Sequence, residues 1–256
     1  MAMSARGDII VVGGKGGVGK TSVSAILVKL LLEGGRKLLV IDADPVVSVT
    51  YALGEEPKST IGEIRERLIE VPGARRDFEG RPAKASIGDV VTRSGRGYDL
   101  LAMGRAEGPG CFCGINDLLR LGIESLCREY DTTLIDCEAG IEQVNRRAVH
   151  RIDKLILVTD TSRRGMESVA KVREVAASQD EAGRMAAHVL LNRIRGEADR
   201  KIAERTAEAF GLRIGGCVPE DPMILEWNAR GDTLFDLPDH SPSVSALRNA
   251  VTALGL

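Results

Sequence analysis

The sequence predicts an α/β fold, a mainly parallel sheet with helices on both faces, and three observations carry that prediction. Short, strongly apolar runs recur along the chain at Asp8–Val12, Lys37–Asp42, Tyr98–Met103, Thr132–Asp136, Lys154–Thr159, His188–Asn192 and Arg213–Val218. Runs apolar at successive positions, rather than alternate ones, are strands buried on both faces, the condition of a parallel sheet covered by helices. A helix-like stretch, Ser22–Glu33, and the amphipathic stretches Asn116–Glu129, Gln143–His150, Gly165–Ala177 and Ala198–Phe210 lie between them. The chain has 256 residues, 43% of them hydrophobic, which suits one sizeable domain with an ample core over residues 1–256. Right-handed crossovers then place the loop after every strand on one edge of the sheet.

The first strand runs into Gly13-Gly14-Lys15-Gly16-Gly17-Val18-Gly19-Lys20-Thr21-Ser22, and a helical pattern follows. Strand, glycine loop and helix are what a phosphate cradle requires. Glycines let backbone N–H groups turn toward an anion, and the helix N-terminus adds partial positive charge. The G-x-x-x-x-G-K-[ST] spacing is that of a P-loop, with Lys20 reaching the outer phosphates and the Thr21 hydroxyl ligating Mg²⁺. The fold class is therefore a single P-loop NTPase domain. Lys15 is a second lysine, on the loop's rim. Pointing away from its own phosphates, it either serves a nucleotide held by a second subunit or is a solvated loop lysine.

The second strand ends in Asp42-Ala43-Asp44-Pro45, on the same edge. A carboxylate there holds the metal's water shell or orients an attacking water; Asp-Pro is equally a plain turn. Pro57–Arg96 mixes Gly, Pro and both signs of charge. It reads as an irregular insertion that either packs on a partner or is merely solvated. The strand Tyr98–Met103 leads into residues 105–115, which carry Cys111-Phe112-Cys113. Two thiolates at that spacing can turn onto one metal ion, two ligands short of a closed site, and a two-fold dimer would supply the other pair. Packed cysteines and a redox pair are the other readings.

Asp136-Cys137-Glu138-Ala139-Gly140 ends the next strand, where a P-loop protein keeps the aspartate that holds Mg²⁺ through water. Gly140 would let the backbone approach a γ-phosphate. Asn192-Arg193 and Val218-Pro219-Glu220-Asp221 each follow a later strand. Asn192, Pro219 and Asp221 stand where an amide and a carboxylate could read a purine edge, or cap helices in the ordinary way. Cys127, Cys137 and Cys217 read as core. The tail, Ser241–Leu256, reads as a terminal helix without a basic face.

Composition limits the function classes. A formal net charge of −2 gives no electrostatic case for nucleic acid or anionic membranes as partner. Aromatics are only 3%, so base stacking is not a theme. No apolar stretch is long enough to span a bilayer, and Met1–Gly7 lacks the apolar core of a signal peptide. Five cysteines without disulfide-scaffold density point to a reducing, cytoplasmic setting, and the near-neutral charge with the non-basic tail to no stable membrane anchoring.

The run from Lys15 to Thr21 resembles the deviant Walker A loop of the dimeric ATPases that include MinD, the arsenite-pump ATPase and the nitrogenase iron protein. Gly110-Cys-Phe-Cys113 together with Asp136-Cys-Glu-Ala-Gly-Ile-Glu142 is similar to the CooC branch, the nickel-insertion accessory ATPases of carbon monoxide dehydrogenase. The resemblance spans nearly the whole chain. It implies a homodimer around two ATP molecules with Mg²⁺. Lys15 would cross to the partner's phosphates, while Lys20 and Thr21 with the loop residues Gly14, Gly16, Gly17, Val18, Gly19 and Ser22 would hold the nucleotide. Asp44 and Asp136 match the two switch aspartates, and Asn192, Pro219 and Asp221 the adenine-reading positions. Cys111 and Cys113 match a pair that shares Ni²⁺ or Zn²⁺ between subunits, for delivery to a nickel client such as carbon monoxide dehydrogenase. The alternatives are an iron–sulfur electron-transfer ATPase and a MinD- or ParA-like positioning ATPase.

Overall fold

In the computed structural model, residues 7–105, 113–138, 149, 151–180 and 183–256 are described. Eight strands form one sheet in the order β3-β4-β2-β5-β1-β6-β7-β8. They are β1 (Asp8–Gly14), β2 (Leu38–Asp42), β3 (Thr92–Arg93), β4 (Tyr98–Ala102), β5 (Thr132–Asp136), β6 (Lys154–Thr159), β7 (Ala186–Ile194) and β8 (Ile214–Pro219). Every pairing is parallel except that of the two-residue edge strand β3 with β4. The seven long strands are the seven apolar runs of the sequence.

The pleat sends alternate side chains of β1 to opposite faces. Ile9 and Val11 join a core with Leu39, Ile41, Ile135, Leu155 and Leu157, covered by α3 (Ile61–Glu70), α6 (Cys113–Cys127), α7 (Arg163–Gln179) and α8 (Glu197–Ala209). Ile10 and Val12 join Val40, Leu134, Ile156 and Val158 under α1 (Lys20–Glu33) and α10 (Pro242–Leu254). Each such aliphatic side chain, wholly withdrawn from water, contributes about 1.5–3 kcal/mol. The apolar face of α10 is spent on this packing, with Val244 and Leu247 fully buried.

Caps written in the sequence fix several helix starts. Thr60 and Glu63 form a capping box for α3, Ser162 caps α7, and Ser241 with Pro242 at the first turn opens α10. The segment expected to be irregular is largely helical. It holds α3, α4 (Ala74–Glu79), α5 (Ala83–Gly88) and strand β3. Phe78 and Ile87 pin α4 and α5 to the main core. Two further short helices, α2 (Ser48–Ala52) and α9 (Pro222–Arg230), carry no strong helical period in the sequence. The helix expected over Gln143–His150 lies outside the described residues apart from Val149. No helix of the described residues is long and apolar enough to cross a membrane.

Candidate nucleotide-binding site

Register aligns the ends of the central strands. Val12 pairs with Asp136, Asp136 with Asp42, and Asp42 with Ala102, so the loops after β1, β2, β4 and β5 emerge on one edge. The loop between β1 and α1 is shaped by glycine at two points where nothing larger fits. Gly14 has φ +140°, and a Cβ there would stand 2.1 Å from the Val158 carbonyl oxygen. Gly19 has φ +90°, and a Cβ there would stand 2.5 Å from Asn192 Nδ2. Gly16 and Gly17 face open space, and Lys15 on the same rim is exposed.

Lys20, in the first turn of α1, is only 7% exposed and donates through Nζ to the Lys15 carbonyl at 3.0 Å. Burial lowers its pKa, an effect partly offset by the carboxylates of Asp136, Asp44 and Glu138. Asp136 lies opposite. It accepts from Ser24 Oγ at 2.6 Å and, more loosely, from Thr21 Oγ1 at 3.5 Å. Burial pushes the Asp136 carboxyl up to about 7, and the nearby Asp42 adds to the shift, while the Ser24 bond and Lys20 oppose it. Ser24 had no role in the sequence reading. Its position one helical turn beyond Thr21, on the same face of α1, is the signal that finds it.

The loop after β2 is held by a carboxylate the sequence reading did not single out. Fully buried Asp42 accepts from Thr50 N at 2.8 Å, Thr50 Oγ1 at 2.7 Å and Asp44 N at 3.2 Å. Burial raises its pKa despite those bonds. Asp44 in turn accepts from Val46 N at 2.9 Å and Ser48 Oγ at 2.8 Å, and Val47 takes a left-handed φ of 49° to let the turn close. Replacing Thr50 by Val removes a hydroxyl donor to a buried carboxylate. Urea unfolding is expected to show a loss of about 1–3 kcal/mol with no change in the unfolding slope.

At the far end of the loop, Asn192 Nδ2 donates to the Val18 carbonyl at 2.8 Å and Arg193 to the Gly17 carbonyl at 3.0 Å. The end of β7 thus braces the P-loop from outside. Asp221 caps α9: one carboxylate oxygen accepts from Met223 N at 2.9 Å, the other from Ser241 Oγ at 2.5 Å and Ser243 N at 3.0 Å. Burial pushes this carboxyl up, but those bonds outweigh it and leave the pKa below the ordinary value. The capping reading is the one its geometry realises. Pro219, with Ile194, Arg195 and Glu220, lines an open cavity of about 870 Å³, to which Asn192 does not contribute.

Cys111 lies outside the described residues, and Cys113 is described only as the first residue of α6. Among the described residues no group of three or more His, Cys, Asp or Glu side chains is placed to hold a metal ion. Cys127 and Cys137 are buried free thiols, and Cys217 is half-buried. Burial raises Cys127 to about 11 and Cys137 well above the ordinary thiol value.

The site suits Mg²⁺ as an ion that keeps most of its water. The Thr21 hydroxyl and the Asp136 carboxylate lie together beside Lys20, and among the described residues no three acids converge on a common point, so a cation held here would keep most of its water. Fold and site together define a P-loop NTPase. A family model for the CobQ/CobB/MinD/ParA nucleotide binding domain matches residues 9–234. An ATP-binding protein of Methanocaldococcus jannaschii, itself uncharacterized, is 35% identical over 91% of this chain and 92% of its own. The carbon monoxide dehydrogenase accessory protein CooC of Rhodospirillum rubrum is 29% identical over 89% of this chain and of its own. Among solved structures, the MinC:MinD cell division complex of Aquifex aeolicus matches with a TM-score of 0.73 and 25% identity, over 97% of this chain and 95% of that one. The chain belongs to the CobQ/CobB/MinD/ParA nucleotide-binding family and is an ATPase of the MinD/ParA type.

Proposed function

We propose that this ATPase is a metallochaperone. It dimerises around two ATP molecules, carries Ni²⁺ (or Zn²⁺) on a Cys₄ site made by Cys111 and Cys113 of two copies, and releases the metal to a nickel enzyme of the carbon monoxide dehydrogenase kind. The observation that carries this reading is the Cys-x-Cys pair that follows β4 in the sequence, a strand whose end is in register with Asp42 at the phosphate edge. The similarity to CooC supports it.

In this mechanism Lys20 binds the β- and γ-phosphates, and Thr21 and Asp136 would hold the cation. Bound Mg²⁺ neutralises phosphate charge. Asp44 orients the attacking water once one of its oxygens leaves Ser48. Lys15 reaches the partner's nucleotide and adds positive charge where negative charge develops. Asn192 and the Pro219–Asp221 turn flank adenine, with Asp221 holding the turn in shape. ATP drives delivery only because it binds one dimer arrangement more tightly than the other.

Anaerobic equilibrium dialysis with ⁶³Ni²⁺, with and without ATP, tests the proposal. About one metal ion per two chains is expected, with stoichiometric binding abolished by Cys111→Ser and slow ATP turnover retained. Metal binding that survives the substitution overturns the shared-thiolate site. The likeness to MinD over nearly the whole chain favours a second reading, a positioning ATPase. ATP-dependent pelleting with anionic vesicles or DNA, in protein without thiol-bound metal, would favour that reading instead.

A further inference from the structure

Residues 57–96 enclose a cavity of about 580 Å³ between α3, α4 and α5, within the range that small-molecule sites occupy. None of its lining residues belongs to the P-loop or to the Asp42, Asp44 and Asp136 loops. Its apolar wall comes from Phe78, Val71 and Val90. Phe78 is buried, whereas Val71 is 49% exposed, unusually open for a large aliphatic side chain.

The polar lining is unevenly paired. Arg81 and Asp89 form an ion pair at 2.9 Å, and Lys58 Nζ donates to the Asp89 carbonyl at 2.6 Å, which leaves its charge uncompensated. Arg67 points to no partner among the described residues. Against Lys58, Arg67 and Arg81 stand only Asp77 and Asp89, so the lining carries one net positive charge. Ser86 lines the same cavity and is 7% exposed, and its hydroxyl has no hydrogen-bond partner among the described residues. A buried hydroxyl without a partner is costly, and an anion's oxygen would satisfy it.

We propose that this cavity binds a small organic anion, with its carboxylate or phosphate head on Arg67, Lys58 and Ser86 and its apolar body against Phe78, Val71 and Val90. Guanidinium and ammonium donors to an anion give charge-assisted bonds, and the apolar wall selects an organic body over an inorganic ion. The site is independent of the metal and client assignments above.

Isothermal titration calorimetry on the full chain tests it, with Mg·ADP saturating the P-loop. The probes are octanoate and phenyl phosphate, with octanol as the neutral control. One saturable site per chain is expected for at least one anion and none for octanol, with affinity reduced about tenfold or more by Arg67→Gln and measurably by Ser86→Ala. Octanoate alone would assign a carboxylate ligand, phenyl phosphate alone a phosphate ester. Ser86→Ala removes an unsatisfied group, so its thermal midpoint should not fall. No saturable heat with either anion, or binding that neither substitution changes, overturns the site.

Discussion

Replacing Lys15 by Ala is expected to lower the ATP hydrolysis rate on the order of a thousandfold while leaving the ATP dissociation constant within about threefold. The geometry separates the two effects. The contact Lys15 makes to the P-loop interior is through its backbone carbonyl, which accepts from Lys20 Nζ and survives truncation to alanine. Its side chain belongs to an exposed residue on the loop's rim, between Gly14 and Gly16. A charge placed there contributes little to its own site and much to a facing one, where transition-state charge on the phosphoryl group is neutralised without water. Mixing gives the sharper test. Lys15→Ala and Asp44→Ala proteins should each be inactive alone. Their mixed dimer contains one complete site, with Lys15 from one chain and Asp44 from the other, and should recover a substantial fraction of the activity. Turnover unchanged in Lys15→Ala would make the residue a solvated loop lysine. Loss without rescue on mixing would place its action within one chain.

The P-loop was legible because its constraints are local. Gly14 and Gly19 need positive φ and have no room for a Cβ, and Lys20-Thr21 must open a helix, so the requirement is written in consecutive residues. The strands were legible for a related reason. Burial on both faces leaves continuous apolar runs, and parallel register then brings Asp42 and Asp136 level without further information. What was not legible depends on distant or short elements. Beyond its local cap bond to Met223 N, Asp221 accepts from Ser241 and Ser243, some twenty residues on, and nothing near Asp221 announces those two. Helices α4 and α5 are six residues each and bounded by Gly73, Gly80, Pro82 and Asp89, too short for a helical period to register. Helix α3 does carry a local signal, Thr60 and Glu63 at capping-box spacing, but the glycines, prolines and mixed charges around it outweighed that signal and the whole segment read as irregular. Asp42 closes the strand and Asp44 stands two residues on, and only the three-dimensional contacts tell the anchoring carboxylate from the one nearer solvent.

The state of Asp136 gives the nucleotide-free protein an unusual dependence on pH. Its carboxyl titrates near 7 when folded and near 3.8 in the unfolded chain, so between those values the folded state binds the extra proton. Stability contributed by this group is therefore complete below about pH 4. It falls as pH rises toward 7 and is flat above. The difference across the window is on the order of 4 kcal/mol at most. The usual buried, salt-bridged aspartate behaves in the opposite sense. Asp42, also raised by burial, acts in the same direction. In Asp136→Asn the amide oxygen still accepts from Ser24, and no charge has to be buried. The variant should be more stable than the parent at pH 8, by about 2–4 kcal/mol, and the gap should close toward pH 5. Urea unfolding in EDTA at intervals from pH 5 to 8 measures it. Equal stability of the two proteins at pH 8 would mean that Asp136 is ionised without cost, and that Lys20 already supplies the compensating charge. Mg·ADP should reverse the order of the two proteins, because a cation beside Asp136 favours the carboxylate that the asparagine lacks. If Asp136 serves the cation as proposed, substituting it should strengthen the nucleotide-free fold while abolishing Mg²⁺-dependent hydrolysis.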